Sequence, residues 1–308
     1  MKDDAEEMAP DMNGTRIAVI GTGTMGTAMA RRLLAAGATV DVWNRSPQPA
    51  KELGELGARV HDEPHQAVSG APVVLTMLPT GDVVRDVMVE RGVVDAMAPG
   101  AVWAQMGTIG TDATAALDAA VTARRPDVHF VDAPVSGSRA PAEAGQLVVL
   151  ASGPEVARDI VGPIFSVLGH RTLWLGPAGA GTRMKLVLNT WLAFEVEAAA
   201  EAAALAAHLG IASGVLSDAL SGSPLVSSFA AAKLAKIQAE DDRPDFSLGW
   251  ALKDLELAET AAGADCVPLA GSIARRWRDL ADRGFAGLDV SAARFGLGEN
   301  TSPKAGRP

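Results

Sequence analysis

The sequence predicts a doubly wound α/β fold with a parallel sheet, followed by an all-helical second domain. Short β-branched runs alternate with helical patterns as far as about residue 175. A glycine-rich turn separates the first of these runs from the first helix, and no convincing strand occurs after Gly176. Strands that alternate with helices are typical of a parallel sheet with helices on both faces.

Each element follows from its local pattern. Residues 1–14 are expected to be a disordered tail, 15–177 the α/β domain, 178–297 an all-helical domain and 298–308 a frayed tail. Strands are predicted at 16–20, 39–43, 73–78, 101–106, 128–133, 147–151 and 171–175, all in one sheet. Glycine and proline breaks divide the second domain into helices at 182–208, 213–221, 224–239, 248–262, 267–283 and 289–295.

Composition and charge exclude several classes of function. A chain of 308 residues with 48% hydrophobic residues is long enough for two cores. Its formal net charge of −10 argues against nucleic acids and anionic membrane surfaces, because phosphates repel such a chain. No apolar run is long enough to span a bilayer, and the acidic start lacks the apolar stretch of a secretory signal. We therefore expect a cytoplasmic protein.

Metal and disulfide chemistry are also disfavoured. The lone cysteine, Cys266, allows no disulfide framework and no cysteine cluster, and we expect it to be a small buried side chain. The five histidines are scattered without a zinc-binding spacing. We expect no metal site.

The glycine-rich turn, Gly21-Thr22-Gly23-Thr24-Met25-Gly26, lies inside a β-α-β unit. In that context the first glycine permits a tight turn, the second lets backbone approach a pyrophosphate, and the third lets helix pack on strand. The helix N-terminus adds unpaired N–H groups and a partial positive charge. The turn predicts a dinucleotide-binding (Rossmann-type) domain.

The end of the second strand indicates which dinucleotide is preferred. It reads Trp43-Asn44-Arg45-Ser46 and has no carboxylate to hold the ribose 2′-hydroxyl of NAD. Arg45 offers a planar fork to a 2′-phosphate, and Asn44 and Ser46 can add hydrogen bonds. The alternative is a solvated loop arginine. We predict NADP(H) in preference to NAD(H).

Two further segments carry polar groups near the predicted carboxyl edge of the sheet. Residues 132–147 leave a strand there, and the hydroxyl and N–H groups of Ser136, Gly137 and Ser138 suit a carboxylate. An ordinary loop is the alternative. Residues 179–189 read GAGTRMKLVLN and open a long helix, on which Lys185 and Asn189 share one face.

That helix has a second, apolar face. Met184, Leu188 and Trp191 recur at helical spacing and are predicted to point toward a core. The alternative for the Lys185 and Asn189 face is simple solvation.

The third segment begins at Phe246 and continues into a helix with Lys253 and Asp254. Lys253 could bind an anion, and Asp254 could orient a lysine or a substrate group. A surface ion pair is the alternative.

Together these motifs resemble the β-hydroxyacid dehydrogenases, which include 3-hydroxyisobutyrate dehydrogenase and the glyoxylate/succinic semialdehyde reductases. The resemblance covers about residues 15 to 295. It depends on GTGTMG at 21–26, WNRS at 43–46, MLP at 77–79, DAPVSGS at 132–138, GAGTRMKLVLN at 179–189 and LKDLELA at 252–258. The stretch PVSGSRAPAEAGQL, with WNRS, Phe246 and Asp254, is most similar to the glyoxylate/succinic semialdehyde reductase branch.

The resemblance implies roles for individual residues. Lys185 would be the catalytic lysine. Ser136, Gly137 and Asn189 would hold the substrate carboxylate region, with Phe246 and Asp254 bracketing the other half of the site. The residues implied to contact the cofactor are the 21–26 turn, Asn44, Arg45, Ser46, Leu78, Pro79, Thr108 and Lys253.

One segment departs from the family pattern. The family has Ser-Thr-x-x-Pro where this chain has Gly107-Thr108-Ile109-Gly110-Thr111. Loss of the serine and the proline is expected to loosen this turn and to alter substrate choice.

The resulting expectation is an NADPH-dependent reductase of a small aldehyde or keto acid that carries a carboxylate, reversible as a hydroxyacid dehydrogenase. An imine reductase on the same architecture and a non-catalytic NADP-binding sensor remain alternatives. The long alanine-rich helix and the resemblance imply a homodimer or homotetramer through the helical domain.

Overall fold

The computed structural model describes residues 10–263 and 265–298, and the chain divides into two units after Lys185. The first unit, Met1–Lys185, contains both sheets, and the second, Leu186–Pro308, is helical where the structure describes it. Residues 1–9 of the predicted N-terminal tail and 299–308 of the predicted C-terminal tail lie outside the described residues.

The central sheet of the first unit has six parallel strands, which confirms the predicted fold class. Its strand order is β3-β2-β1-β4-β5-β6. The chain places β2 and β3 on one side of β1 and β4, β5 and β6 on the other, so the order of the strands reverses between β1 and β4. Sheets of this kind bind ligands at the carboxyl ends of the strands beside such a reversal. The strands are β1 (Arg16–Ile20), β2 (Thr39–Trp43), β3 (Arg59–Val60), β4 (Val73–Thr76), β5 (Val102–Gln105) and β6 (His129–Asp132).

Both faces of this sheet are covered. Alternate residues of β1 enter separate cores, with Ile17 and Val19 in one and Ala18 and Ile20 in the other. The helices of the unit are α1 (Thr24–Ala35), α2 (Pro47–Gly54), α3 (Pro64–Val68), α4 (Gly81–Arg85), α5 (Thr111–Arg124), α6 (Arg139–Glu143) and α7 (Glu155–Leu168). A π-helix, Asp86–Glu90, continues α4, and a 3-10 helix follows at Val93–Ala96.

The last two predicted strands do not belong to the central sheet. They form a separate three-stranded sheet with β7 (Val135–Ser136), namely β8 (Leu147–Ala151) and β9 (Gly169–Trp174). β8 runs antiparallel to β7 and parallel to β9, and a single bridge between Asp132 and Ser152 connects its end to β6. The prediction of one continuous sheet is therefore wrong, because β8 pairs with the segment that follows β6 and not with β6 itself.

The start of the described chain is packed against the first unit. Met12 is buried, its N–H donates to Ala36 O, and its carbonyl accepts from Thr15 N–H. The expected disordered tail therefore does not reach residue 14, because an apolar side chain in this segment finds a place in the core.

The second unit is built on a 29-residue helix, α8 (Ala180–His208), which begins in the first unit. The helices that follow are α9 (Ser213–Leu220), α10 (Ser228–Ala239), α11 (Leu248–Ala262) and α12 (Pro268–Leu280). A π-helix at Ala281–Phe285 and a 3-10 helix at Val290–Arg294 complete the unit. No helix among the described residues combines the length and apolarity that crossing a membrane requires.

The predicted core-facing stripe of α8 is exposed. Trp191 is 65% exposed, and Met184 and Leu188 are each 36% exposed. The core of the second unit takes its α8 contribution from smaller residues, including Ala193, Val196 and Ala200. Small side chains let helices pack closely at this core, and Met184, Leu188 and Trp191 lie on another face of α8.

Candidate active site

The first unit shapes the 21–26 turn through contacts at its two outer glycines. Gly21 has a φ of +100°, and a Cβ there would lie 2.4 Å from Met77 O. A Cβ on Gly26 would lie 1.9 Å from Gly21 O. Gly23 differs, since no described atom lies within 4 Å of the position its Cβ would take. The space above Gly23 is therefore open to a ligand.

Two features at this opening suit the pyrophosphate of a dinucleotide. Gly23 is the N-cap of α1 and has no side chain with which to cap the helix, so the first turn directs its N–H groups outward. The hydroxyl of Thr22 is fully buried and has no hydrogen-bond partner among the described residues. The residues present thus fit the predicted group.

The end of β2 supports the same turn. Asn44 Oδ1 accepts the Thr22 N–H at 3.0 Å, and Asn44 Nδ2 donates to Ser46 O at 2.8 Å. Arg45 is exposed, and its side chain forms no hydrogen bond or ion pair with any described residue. Asn44 therefore braces the turn, while the guanidinium of Arg45 is available to an anion.

The ends of β4 and β5 meet at Gly107. A Cβ on Gly107 would lie 2.6 Å from Leu78 O, so a serine cannot replace it without movement. Gln105 Oε1 accepts the Gly107 N–H at 3.1 Å, and Gln105 Nε2 donates to Gly107 O at 2.7 Å. The turn that carries Thr108 is thus held at its start, contrary to the expected loosening.

The predicted cofactor residues of the first unit follow the carboxyl ends of β1, β2, β4 and β5. These strands are neighbours in the central sheet, so the turns that follow them lie along one edge. They are the 21–26 turn, Asn44, Arg45, Ser46, Leu78, Pro79 and Thr108.

Asp132, the last residue of β6, anchors the start of α8. Its Oδ2 accepts the Thr182 N–H and its Oδ1 accepts the Thr182 hydroxyl, both at 2.7 Å. Ser152 Oγ donates to Asp132 Oδ2 at 3.1 Å and accepts the Gly181 N–H at 2.9 Å. A Cβ on Gly181 would lie 2.1 Å from Leu150 O, which explains why a glycine occupies this position in the first turn of the helix.

Ser136 and Gly137 lie at the end of β7. Gly137 has a φ of +128°, and a Cβ there would lie 2.7 Å from Leu147 Cδ2. Ser136 is partly exposed, and Ser138 is the N-cap of α6. The glycine is thus required by local packing, and the substrate role of Ser136 and Gly137 stays a prediction.

Lys185 and Asn189 lie one helical turn apart on α8. Lys185 is 9% exposed and Asn189 is 5% exposed, so the alternative of a solvated face does not hold. A lysine is seldom this buried unless its ammonium group is paired with another group.

Within the second unit, Asn189 is bound to Asp254 of α11. Asn189 Nδ2 donates to Asp254 Oδ2, and Lys253 Nζ lies 2.6 Å from Asp254 Oδ1. The Asp254 side chain is 4% exposed, so this pair is not the surface ion pair of the alternative interpretation. Phe246 is partly buried and packs against the core of the unit. The contacts of Lys253, Phe246 and Asp254 with ligands stay predictions.

The described residues contain no group of three or more histidine, cysteine, aspartate or glutamate side chains able to hold a metal ion. Cys266 is exposed, so the expectation of a buried thiol is wrong. It lies in the turn before α12, where the adjacent residue, Val267, and not the cysteine packs against the core of the unit.

Two supporting residues were missed in the sequence. Asp132 and Gln105 are each fully buried at the last position of an apolar strand, and each fixes a backbone turn. A single polar residue that closes an apolar strand is the signal that could have indicated them. The partners of such residues follow only from the folded chain.

Comparison with known proteins tests the class that this architecture defines, a nicotinamide-dependent dehydrogenase. The model for the NAD binding domain of 6-phosphogluconate dehydrogenase matches residues 16–176. The model for the NAD-binding domain of NADP-dependent 3-hydroxyisobutyrate dehydrogenase matches residues 179–294.

Individual relatives agree with these matches. Glyoxylate/succinic semialdehyde reductase 1 of Arabidopsis thaliana is 31% identical over 90% of this chain and 96% of its own length. The structure of Mycobacterium tuberculosis 3-hydroxyisobutyrate dehydrogenase with L-serine is 31% identical, covers 91% of this chain and 98% of that one, and has a TM-score of 0.82. The cytokine-like nuclear factor N-PAC of Homo sapiens is 30% identical over 79% of this chain but only 44% of its own length.

The chain belongs to the β-hydroxyacid dehydrogenase family. Its first unit is accordingly an NAD(P)-binding domain, and its chemistry is that of a hydroxyacid dehydrogenase-type oxidoreductase.

Proposed function

We propose that the chain is an NADPH-dependent reductase of small aldehydes or keto acids that carry a carboxylate, reversible as a hydroxyacid dehydrogenase. The burial of Lys185 and Asn189 on one face of α8 is the observation that carries this proposal. The similarity to a glyoxylate/succinic semialdehyde reductase supports the substrate class.

The proposed chemistry assigns one reacting group to the protein. The nicotinamide, when bound, supplies the hydride that reaches the carbonyl carbon. Lys185 donates a proton from Nζ to the carbonyl oxygen, so that the aldehyde becomes an alcohol. In the reverse direction the neutral amine accepts the proton of the hydroxyl group.

The remaining residues orient the substrate. Asp254 holds the amide of Asn189 in one orientation, so the second N–H of Nδ2 can donate to a substrate oxygen. Ser136 and the Gly137 N–H bind the carboxylate, and Phe246 forms an apolar wall. Asp254 itself does not contact the substrate carboxylate, because two like charges would repel; it positions Asn189 and Lys253.

Replacement of the lysine tests this assignment. We expect Lys185→Ala to lower kcat by about 10²- to 10⁴-fold, the usual contribution of a positioned proton donor. NADPH oxidation would be followed with glyoxylate, succinic semialdehyde and tartronate semialdehyde, and NADP⁺ reduction with 3-hydroxyisobutyrate. Lys236→Ala, at a partly buried lysine of α10, is the matched control. Turnover within tenfold of wild type in a folded Lys185→Ala variant would show the assignment to be wrong.

The same assays separate the alternatives. An amine product from a carbonyl and an amine, without alcohol formation, would favour an imine reductase. Tight NADPH binding without turnover of any substrate would favour a sensor.

The preference for NADPH depends on Arg45. Its exposed guanidinium has no protein partner among the described residues and can bind a 2′-phosphate with charge-assisted hydrogen bonds. We expect Arg45→Ala to weaken NADPH binding by about 10- to 100-fold, equivalent to about 1.5–3 kcal/mol. NADH binding should change by less than about threefold, because NADH has no 2′-phosphate.

Fluorescence titration with both cofactors measures this difference. Arg158→Ala, at an exposed arginine of α7, is the control. An equal loss for NADH and NADPH would contradict the proposed role of Arg45.

A further inference from the structure

A buried cluster of polar side chains joins two elements that the proposed function requires. Thr114, Asp132, Ser152 and Thr182 are each at most 1% exposed. Thr114 Oγ1 donates to Gly110 O at 2.8 Å and lies 3.2 Å from Thr182 Oγ1. Thr182 in turn is held by both carboxylate oxygens of Asp132.

This cluster connects the 107–110 turn to the first turn of α8. Gly110 closes the turn that contains Thr108, and Thr182 lies three residues before Lys185. Residues three and four apart share a face of a helix, so Gly181 and Thr182 lie beneath the same face as Lys185. A change in how Asp132 holds Thr182 therefore changes the position of Lys185.

Asp132 also supplies what the start of α8 lacks. The first N–H groups of a helix have no partner within the helix, and α8 has no acidic residue in its first turn. The carboxylate of Asp132 accepts the Thr182 N–H, and its negative charge lies at the positive end of the helix dipole. Ser152 accepts the N–H of Gly181 in the same way.

We propose that Asp132 is a positioning residue that fixes Lys185 through Thr182, and that Thr114 gives the Thr108 turn the same anchor. This inference rests on the proposed catalytic role of Lys185. Asp132 acts through the helix and touches neither substrate nor cofactor.

The donor and acceptor pattern distinguishes three substitutions at these positions. Asp132→Ala removes every acceptor and leaves the buried N–H and hydroxyl of Thr182 without partners. Asp132→Asn keeps the shape: its Oδ1 can accept the Thr182 N–H, and its Nδ2 can donate to the Thr182 hydroxyl oxygen. Thr182→Val keeps the backbone anchor and removes only the hydroxyl.

The expected results follow from this pattern. Asp132→Ala should lower kcat by about 10- to 100-fold, since a displacement of about 1 Å at a reacting group costs this much. The KM for the substrate should change by less than about twofold, because the change acts on a group used in the reaction step. Asp132→Asn should recover kcat to within about threefold of wild type, and Thr182→Ser should recover what Thr182→Val loses.

Two readouts separate positioning from simple destabilisation. A deuterium isotope effect measured with labelled NADPH should increase in Asp132→Ala, because a misplaced proton donor slows the reaction step. The thermal midpoint should not follow kcat across the variants. Asp41→Asn is the control. Asp41 is as buried as Asp132, but its partners are Arg16, in β1, and His61, directly after β3.

Loss of kcat in Asp132→Ala and Thr182→Val, with recovery in Asp132→Asn and Thr182→Ser, supports the inference. Wild-type kcat and isotope effect in Thr182→Val overturn it, even if Asp132→Ala fails to fold. Lys185→Ala is measured beside them: a fully active Lys185→Ala variant removes the proposed function itself, whereas an inactive one with normal Thr182→Val removes only the positioning role.

Discussion

At the scale of the single residue, the three glycines of the 21–26 turn are required for different reasons. Gly21 and Gly26 have protein atoms at 2.4 Å and 1.9 Å from where a Cβ would lie, whereas Gly23 faces open space. Neighbouring backbone thus requires a glycine at the first and the last position, Met77 O at Gly21 and Gly21 O at Gly26. The space next to the middle glycine, Gly23, is open to a ligand.

This difference predicts opposite effects of alanine. Gly23→Ala should leave the thermal midpoint within about 2 °C of wild type while weakening NADPH binding at least about tenfold, because the added methyl group occupies ligand space. Gly26→Ala should lower the midpoint by several degrees, because its Cβ collides with Gly21 O. Differential scanning fluorimetry and NADPH titration measure both quantities. Unchanged NADPH affinity in Gly23→Ala would show that the dinucleotide does not approach this glycine.

The sequence identified residue types at the site better than their partners. GTGTMG and WNRS predicted a turn and a strand end that the structure has. That Asn44 braces Thr22, and that Gln105 encloses Gly107, could not be read from spacing. Such pairs join residues about twenty positions apart or depend on the exact path of a turn, and only folding decides them.

At the scale of elements, periodicity predicted the existence of strands but not the sheet they join. Runs at 147–151 and 171–175 have the same apolar character as the central strands. Their assignment to a second sheet depends on the two-residue strand Val135–Ser136, which is too short to give a pattern. The prediction that the apolar stripe of α8 faces a core was wrong for a related reason. Helical spacing shows that residues share a face, but it does not show what covers that face.

Within the second unit, Asp289 holds the segment that carries Phe246. Its Oδ2 accepts the Asp245 N–H at 2.9 Å, and Lys233 Nζ lies 3.0 Å from both carboxylate oxygens. Lys233 is 3% exposed and Asp289 is fully buried. Loss of either charge would leave the other without its main partner in the interior.

We therefore expect Asp289→Ala to destabilise the protein by about 3–5 kcal/mol, toward the lower end because Asp245 also approaches Lys233. Urea unfolding followed by circular dichroism measures the loss. Asp279→Ala, which removes an exposed partner of Arg283, should cost less than about 0.5 kcal/mol. Equal effects of the two substitutions would contradict a structural role for the buried pair.

The same pair makes stability depend on pH. Burial alone would raise the pKa of Asp289, but hydrogen bonds from the Ser291 N–H and from Lys233 outweigh it and lower the pKa below 3.8. Its contribution is therefore present above pH 3.8 and is lost as the pH falls through the lower native pKa. The gap in thermal midpoint between wild type and Asp289→Asn should narrow as the pH is lowered from about 6 to about 3. A gap that is constant over this range would count against the assignment.

At the scale of the whole molecule, the order of the two kinds of structure was predictable. Strand patterns end near Gly176 and helical patterns follow, and the family models divide at 176 and 179. The contact-defined division lies later, after Lys185 and inside α8. The continuity of a helix can be predicted from a sequence. Side chains such as Asp132 decide which unit the first turns of that helix pack against.

The exposed apolar face of α8 leads us to propose that a second copy of the chain covers it. In the second unit Val187 is 64% exposed and Trp191 is 65% exposed, with Leu188 beside them at 36%. A contiguous exposed apolar surface of this kind marks an association site, and a long helix offers a self-complementary one. The proposed occupant is therefore another protomer.

Charge placed on this face should separate the protomers. We expect the double substitution of Val187→Glu and Trp191→Glu to convert a dimer or tetramer into a smaller species, because each carboxylate would have to be buried unpaired in the interface. Size-exclusion chromatography with light scattering measures the mass, and circular dichroism confirms the helix content. Val156→Glu, at a site on α7 that is 58% exposed, should leave the mass unchanged. A wild-type chain that is monomeric at micromolar concentration, or a double variant with unaltered mass, would show that this face has another partner or none.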